Sequence, residues 1–129
     1  VKPGKPVLVG RHEGGLVFGL PGNPVSAYVT AWLLLAPALR VLSQHARVRH
    51  LRLQLPLTGT EELPATKGRT TFYGGVLEVD ERGSPSVRSL QWRGSADQVG
   101  FGRADVLIFR PPGAAAAASG DCVEVWLHA

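Results

Sequence analysis

The sequence has no methionine and a single cysteine among its 129 residues. One thiol cannot form an internal disulfide, so a disulfide-stabilised scaffold is excluded and a reducing compartment is favoured. No group of cysteines and histidines has the spacing of a metal site, so no metal ligands are predicted in this chain. The chain should therefore fold around an ordinary apolar core.

Long uninterrupted apolar runs are also missing. The longest, Ala31–Leu39, contains Pro37 and is about half of the roughly 20 residues that cross a bilayer. The first residues alternate Lys, Pro and Gly and lack the apolar region of a signal peptide. We expect a soluble, cytoplasmic protein with no membrane partner.

The excess of positive charge is small, with 14 Lys and Arg against 10 Asp and Glu. A small positive net charge is compatible with binding an anionic small molecule. It is equally common in proteins where it only favours solubility. Four basic residues gather in one segment: Arg47, Arg49, His50 and Arg52. Aromatic residues do not alternate with them as single-strand binding requires, so we interpret them as a solvated face and expect no nucleic-acid partner.

The first third of the chain has the pattern of a β-hairpin followed by one long helix. The apolar runs Val7–Val9 and Leu16–Leu20 flank a glycine-rich loop. From Val25 to about Leu42 nearly every residue is apolar, and Pro37 should kink or restart the helix. A helix that is apolar on all sides must be buried on several of them. We infer that part of its partner surface lies outside this chain or on a second subunit.

From about Arg47 the pattern changes to the two-residue alternation of β-strands. One face of the first strand, Arg47–Leu57, carries four leucines: Leu51, Leu53, Leu55 and Leu57. Four more strands are predicted: Thr71–Val79, Ser86–Leu90, Val106–Arg110 and Cys122–Leu127. This number of short strands indicates a small β-barrel or sandwich. The chain thus divides near Gln44–Arg47 into an α/β remnant, residues 1–45, and an all-β domain, residues 46–129.

Three smaller features lie among these elements. Ser95–Gly102 is predicted to form one helical turn, and Ala114–Ala118 is interpreted as a tolerated loop insertion without function. The tryptophans are too scattered along the sequence to predict a stacking platform, so we interpret them as core residues: Trp32, Trp92 and Trp126.

The connection between hairpin and helix, Leu20–Ala27, predicts an anion site. Asn23 is a favoured N-cap and Pro24 a favoured first helical residue. The unpaired N–H groups and positive dipole end of such a helix attract an anion, and no acidic side chain competes. Lys2 and Lys5 precede a strand that, if paired with Leu16–Leu20, brings both ammonium groups to one side. The same turn also occurs as a purely structural connection.

A second cationic group, Lys67 and Arg69, lies in a predicted turn. These side chains are able to reach an anion from there. Charges before an edge strand also deter aggregation. The sequence leaves both interpretations open.

Two segments carry a resemblance to a known family. Residues 2–6, KPGKP, and residues 20–27, LPGNPVSA, resemble the end of the molybdopterin-binding domain of the molybdopterin molybdenumtransferases, the MoeA/gephyrin family. Residues 68–72, 75–77, 94–95, 104–108 and 120–125 resemble the C-terminal β-barrel domain of that family. The resemblance implies a hairpin and long buried helix that end the first domain, followed by the barrel, as the C-terminal portion of a longer protein.

The resemblance implies an enzyme that takes adenylylated molybdopterin and molybdate, with Mg²⁺, and releases molybdenum cofactor and AMP. Lys2 and Lys5 would be its catalytic cations, holding phosphate or molybdate oxygens. The pterin-phosphate pocket would be shaped by five residues: Pro21, Gly22, Asn23, Pro24 and Ser26. Arg69 and Ser95 would close over the bound anion.

The Mg²⁺ ligands of the family would lie upstream of Val1. This chain alone is therefore expected to be inactive, and the full-length protein to be a homodimer. The alternative is a non-catalytic module for dimerisation or protein interaction. Saturable binding of an anionic ligand would distinguish the enzyme portion from such a module.

Overall fold

The computed structural model describes residues 7–22, 24–90 and 103–127. The elements, in chain order, are β1 (Leu8–His12), β2 (Gly15–Gly19), α1 (Pro24–Thr30), a π-helical turn (Ala31–Leu35), α2 (Ala36–Leu42), β3 (Arg52–Thr58), β4 (Thr71–Val79), β5 (Pro85–Ser89), β6 (Val106–Arg110) and β7 (Cys122–Leu127). This order confirms the predicted hairpin, helix and strands. The turn predicted at Ser95–Gly102 lies outside the described residues.

Strands β1 and β2 form an antiparallel hairpin whose register runs from Leu8 opposite Gly19 to His12 opposite Gly15. Its two connecting residues, Glu13 and Gly14, both have positive φ, at 48° and 80°. Two successive residues of this kind make the turn that matches the twist of paired strands, and the glycine takes up its conformation without strain. The hairpin prediction is confirmed.

The long helix is continuous from α1 through the π turn to α2. The Ala36 N–H bonds to the Ala31 carbonyl, one residue further back than in an α-helix. Pro37 follows directly, and its missing N–H favours such a local change of register. The predicted disturbance at Pro37 is therefore present as a π turn.

Strands β3 to β7 close into a barrel in the order β3-β5-β4-β6-β7. Strand β7 pairs with both β6 and β3, and these contacts are antiparallel. The contact between β3 and β5 is parallel and joins two residue pairs, Leu57 with Val87 and Thr58 with Arg88. A barrel, and not a sandwich, is thus the correct alternative.

The barrel has an apolar interior and an apolar patch on its outside. The interior cluster consists of Leu55, Leu57, Leu63, Val87, Val106, Ile108, Ala117, Val123 and Val125. On the outside, Phe72 and Leu107 pack with the helix residues Val25, Val29 and Trp32. The helix is therefore anchored to the outer face of β4 and β6.

Within the described residues the helix is buried on one face only, and the inference that the rest of its partner surface lies outside this chain or on a second subunit stays a prediction. Its other face exposes Tyr28, Leu34, Leu39, Val41 and Leu42. The barrel covers a single stripe, because a straight helix meets a curved sheet along one line of side chains.

The helix is also longer than the uninterrupted apolar run counted from the sequence. The segment Val25–Leu42 is sufficient, by length and composition, to cross a membrane. The core helix of a soluble protein meets the same criterion. Here Val25, Val29 and Trp32 are packed against the barrel, so composition does not decide between the two.

Strand β3 begins at Arg52, five residues later than predicted. Leu51 and Leu53 are 39% and 44% exposed, whereas Leu55 and Leu57 are buried. The leucine alternation is real, but the barrel interior covers only its second half.

The alanine-rich loop is part of the barrel, so its interpretation as a tolerated insertion is wrong. Ala117 is buried in the interior cluster and forms a two-way backbone bridge with Leu63, at 2.8 and 2.9 Å. Thr66 extends this pairing, donating its N–H to the Ala114 carbonyl at 2.9 Å and accepting the Ala114 N–H at 2.8 Å. Small side chains are needed because the two loops approach backbone to backbone.

Candidate anion-binding site

The helix begins where the sequence predicted it. Residue 24 is the first residue of α1, and no acidic residue lies in the first turn. Pro21 is buried, whereas Gly22 is exposed, and a Cβ added to Gly22 would meet nothing within 4 Å. Among the described residues, nothing packs against this side of the Gly22 backbone.

Ser26 is buried in the first turn, at 6% exposure. Its carbonyl accepts the Thr30 hydroxyl at 2.8 Å, which also contacts the Ala27 carbonyl at 3.1 Å. This back-bonding satisfies the Thr30 hydroxyl within the helix, and such bonds tend to bend a helix slightly. Ser26 thus shapes the helix entrance from inside.

A cleft of about 280 Å³ opens at one end of the barrel. It is lined by Pro64, Ala65, Thr66, Lys67, Gly68, Arg69, Thr71 and Tyr73. None of these described lining residues is acidic, and Lys67 and Arg69 are both exposed. The cleft is therefore a positively charged opening of suitable size for a small oxoanion.

Strand β4 explains why these residues meet. Side chains at alternate positions of a strand share a face, and Tyr73 packs against the barrel interior. A Cβ on Gly75 would point into the same interior, 2.8 Å from Val87. Arg69 and Thr71 continue this alternation to the barrel mouth. The sequence indicated Lys67 and Arg69 as a possible anion site, and the two-residue spacing of Arg69, Thr71 and Tyr73 is the signal that adds the other two.

Arg110 adds a buried positive charge beside Tyr73. It is 7% exposed and its guanidinium donates to the Ala115 carbonyl. The two ion pairs found among the described residues, His12–Glu13 and Arg88–Glu78, do not involve it. Burial raises the pKa of the Tyr73 hydroxyl, and the charge of Arg110 partly offsets this effect. Tyr73 is therefore a neutral hydroxyl at physiological pH, able to donate to an anion.

The structure brings some of the predicted site residues together. Pro21, Gly22, Pro24 and Ser26 are neighbours at the helix entrance, and Arg69 lies in the barrel cleft. Val25, next to the helix entrance, and Phe72, three residues after Arg69, belong to the same apolar cluster. Four predicted residues lie outside the described ones: Lys2, Lys5, Asn23 and Ser95. The assignment of all nine stays a prediction.

The basic segment before β3 is not simply a solvated face. His50 is half-buried and stacks on Trp126, with ring centroids 6.0 Å apart, while Trp32 lies 6.4 Å away on the helix. The Arg52 guanidinium lies 4.1 Å above the Trp126 ring. Two tryptophans that are distant in sequence thus meet around one histidine, and Trp92 lies outside the described residues.

Within residues 7–22, 24–90 and 103–127, no group of three or more His, Cys, Asp or Glu is placed to hold a metal ion. These residues do not fit a Mg²⁺ site.

Comparison with known proteins agrees with the architecture. Residues 57–128 match the model of the MoeA C-terminal region (domain IV). Molybdopterin molybdenumtransferase of Haemophilus influenzae is 36% identical over 98 residues, which cover 74% of this chain and 23% of that protein. Molybdopterin molybdenumtransferase 2 of Mycobacterium tuberculosis is 30% identical over 131 residues, which cover 98% of this chain and 30% of that protein.

The fold is shared with a solved structure of the molybdopterin biosynthesis MoeA protein of Pyrococcus horikoshii. The TM-score is 0.73 at 29% identity, over 99% of this chain and 30% of that one. The chain thus spans less than a third of the length of these relatives.

Proposed function

Because this chain belongs to the family of the MoeA C-terminal region, domain IV, we propose that it works in molybdenum cofactor biosynthesis as the C-terminal portion of a molybdopterin molybdenumtransferase. The reaction is the insertion of molybdate into adenylylated molybdopterin with release of AMP. Molybdate, the phosphates and AMP are all anions, so the chain has to bind negative charge.

The observation that carries this proposal is the basic cleft at the barrel mouth. Its described lining has two cationic side chains and no carboxylate, and the buried guanidinium of Arg110 acts on Tyr73 beside it. Lys67 and Arg69 are exposed and are able to form charge-assisted hydrogen bonds to the oxygens of an anion. The open helix entrance, with no acid in its first turn, offers a second anchor for phosphate.

The chain contributes to the reaction by positioning anions. Lys67 and Arg69 neutralise oxoanion oxygens, and the Tyr73 hydroxyl donates to them. Holding two mutually repelling anions in place lowers the barrier to transfer by fixed electrostatics, without a covalent intermediate on the protein. Mg²⁺ in this proposal is held by residues outside this chain, and turnover needs the whole protein.

We expect Arg69→Ala to weaken binding of AMP or molybdate by about ten- to a hundredfold, because a hydrogen bond to a charged group contributes about 1.5–3 kcal/mol. Isothermal titration of this chain measures the dissociation constants. Arg82→Ala is the matched control, since Arg82 lies in the exposed turn between β4 and β5 and should leave binding unchanged. Equal losses in both variants, or no saturable binding by the wild-type chain, would contradict the proposal.

A second candidate function is a non-catalytic dimerisation or protein-interaction module. The exposed apolar face of the helix favours it, because Leu39, Val41 and Leu42 are 53%, 57% and 69% exposed. A pure interaction module forms dimers by light scattering and shows no saturable anion binding. The titration above therefore separates the two functions.

A further inference from the structure

His50 joins the helix to the barrel through both of its ring nitrogens. Nε2 lies 2.9 Å from the carbonyl oxygen of Trp32 in the π turn. Nδ1 lies 3.2 Å from the carbonyl oxygen of Leu127 at the end of β7. One imidazole ring thus contacts two elements that are far apart in sequence.

Both of these contacts require His50 to donate, because a carbonyl oxygen can only accept. A neutral imidazole has one N–H, and its other nitrogen carries a lone pair. In the neutral ring, one contact would place that lone pair against a carbonyl oxygen. We propose that His50 is protonated in the folded chain and is a pH-dependent clamp between the helix and the barrel.

The Trp32 carbonyl needs this donor because of Pro37. In the π turn each carbonyl accepts from the N–H five residues later, as the Ala36 N–H to Ala31 bond shows. The donor for Trp32 in this register would be residue 37, and proline has no N–H. Pro37 therefore cannot donate to this carbonyl, and His50 approaches it from outside the helix.

The rings around His50 also favour its charged form. Trp126 stacks on the imidazole at an interplanar angle of 29°, and an indole face attracts a cation. Tyr28 contacts the edge of Trp32 at 5.7 Å, and burial raises the pKa of its hydroxyl, so it stays neutral. These aromatic contacts add no opposing charge.

Three charged groups surround the clamp. Arg52 lies over Trp126, and its positive charge opposes the protonation of His50. Because Arg52 is exposed, solvent screens this effect. Arg40 of α2 donates to the Val48 carbonyl at 3.2 Å, and its positive charge also opposes the protonation of His50. Glu124 favours protonation and is held nearby by the Trp126 Nε1–H, at 2.8 Å. The Trp32 and Leu127 carbonyls contact the ring directly, so their effect on the protonation of His50 outweighs that of the three charged groups.

The clamp makes the stability of the folded chain depend on pH, independently of the proposed function. A histidine in the unfolded chain is protonated below about pH 6.5. Below that pH, the stabilisation of the folded chain by the His50 clamp is fully present. It is lost as the pH rises through the titration of His50 in the folded chain, because the neutral ring cannot serve both carbonyls.

The direct test is ¹⁵N NMR of this chain with labelled histidine. We expect both ring nitrogens of His50 to carry protons at about pH 7, and its titration midpoint to lie above about 6.5, the ordinary value of a histidine. A single protonated nitrogen on His50 at that pH would overturn the proposal. This measurement needs no variant.

The second test follows denaturant unfolding against pH. The folding equilibrium constant of the wild type should fall about tenfold between acidic and mildly alkaline pH, the effect of a one-unit difference in the titration of one group. His50→Gln should lose this slope, and the control His12→Gln should keep it. A His50→Gln variant with the wild-type slope would show that another group causes the dependence.

Discussion

Leu57→Ala is expected to lower the free energy of unfolding by about 3–4 kcal/mol. Leu57 is fully buried in the interior cluster and pairs with Val87 across the parallel contact of β3 and β5. Removing its side chain loses apolar burial and leaves a cavity that the closed barrel cannot collapse around. A domain with a total stability of about 5–15 kcal/mol loses a large share of it.

The matched control is Leu53→Ala on the same strand. Leu53 has the same position in the alternation but is 44% exposed. Removing its side chain should therefore lower the free energy of unfolding by less than about 1 kcal/mol. Urea titration followed by circular dichroism measures both. Equal destabilisation of the two variants would mean that the barrel interior is not organised around Leu57.

Gly75→Val is expected to cost about 3 kcal/mol and to lower Tm by about 10 °C. Gly75 is buried in β4, and even a Cβ there would lie 2.8 Å from Val87 Cγ2 and 3.1 Å from Ile108. Both neighbours are β-branched and buried, so neither can move aside without displacing the rest of the interior. The whole barrel must expand to hold the added side chain.

Gly10→Val is the control for this substitution. Gly10 lies in β1, and a Cβ there meets nothing within 4 Å. Its variant should unfold within a few degrees of the wild type in a thermal scan. A Gly75→Val variant as stable as Gly10→Val would refute the described packing of β4 against β5 and β6.

The strands could be predicted from the sequence where turn residues border them. The bounds of β4, β6 and β7 agree with the alternating apolar pattern, because a barrel strand has one face inside and one outside. The family resemblance, carried by short segments in both halves of the chain, is confirmed by the match to the MoeA C-terminal region. Local pattern and motif were sufficient for these features.

Contacts between distant segments could not be predicted. An alanine run has no periodicity, so nothing in it indicates that Ala117 pairs with Leu63. His50 has the appearance of a surface residue in a basic segment, and its partners come from the helix and from β7. The candidate cleft joins a turn to a strand end, which sequence spacing alone does not reveal.

The last strand determines when the barrel can close during synthesis. Strand β7 is hydrogen-bonded to β6 on one side and to β3 on the other. The earlier strands therefore cannot close into a barrel while Cys122–Leu127 is still inside the ribosome. A nascent chain would present the free edges of β3 and β6 to other proteins in that interval, and a holding chaperone would have its strongest effect there.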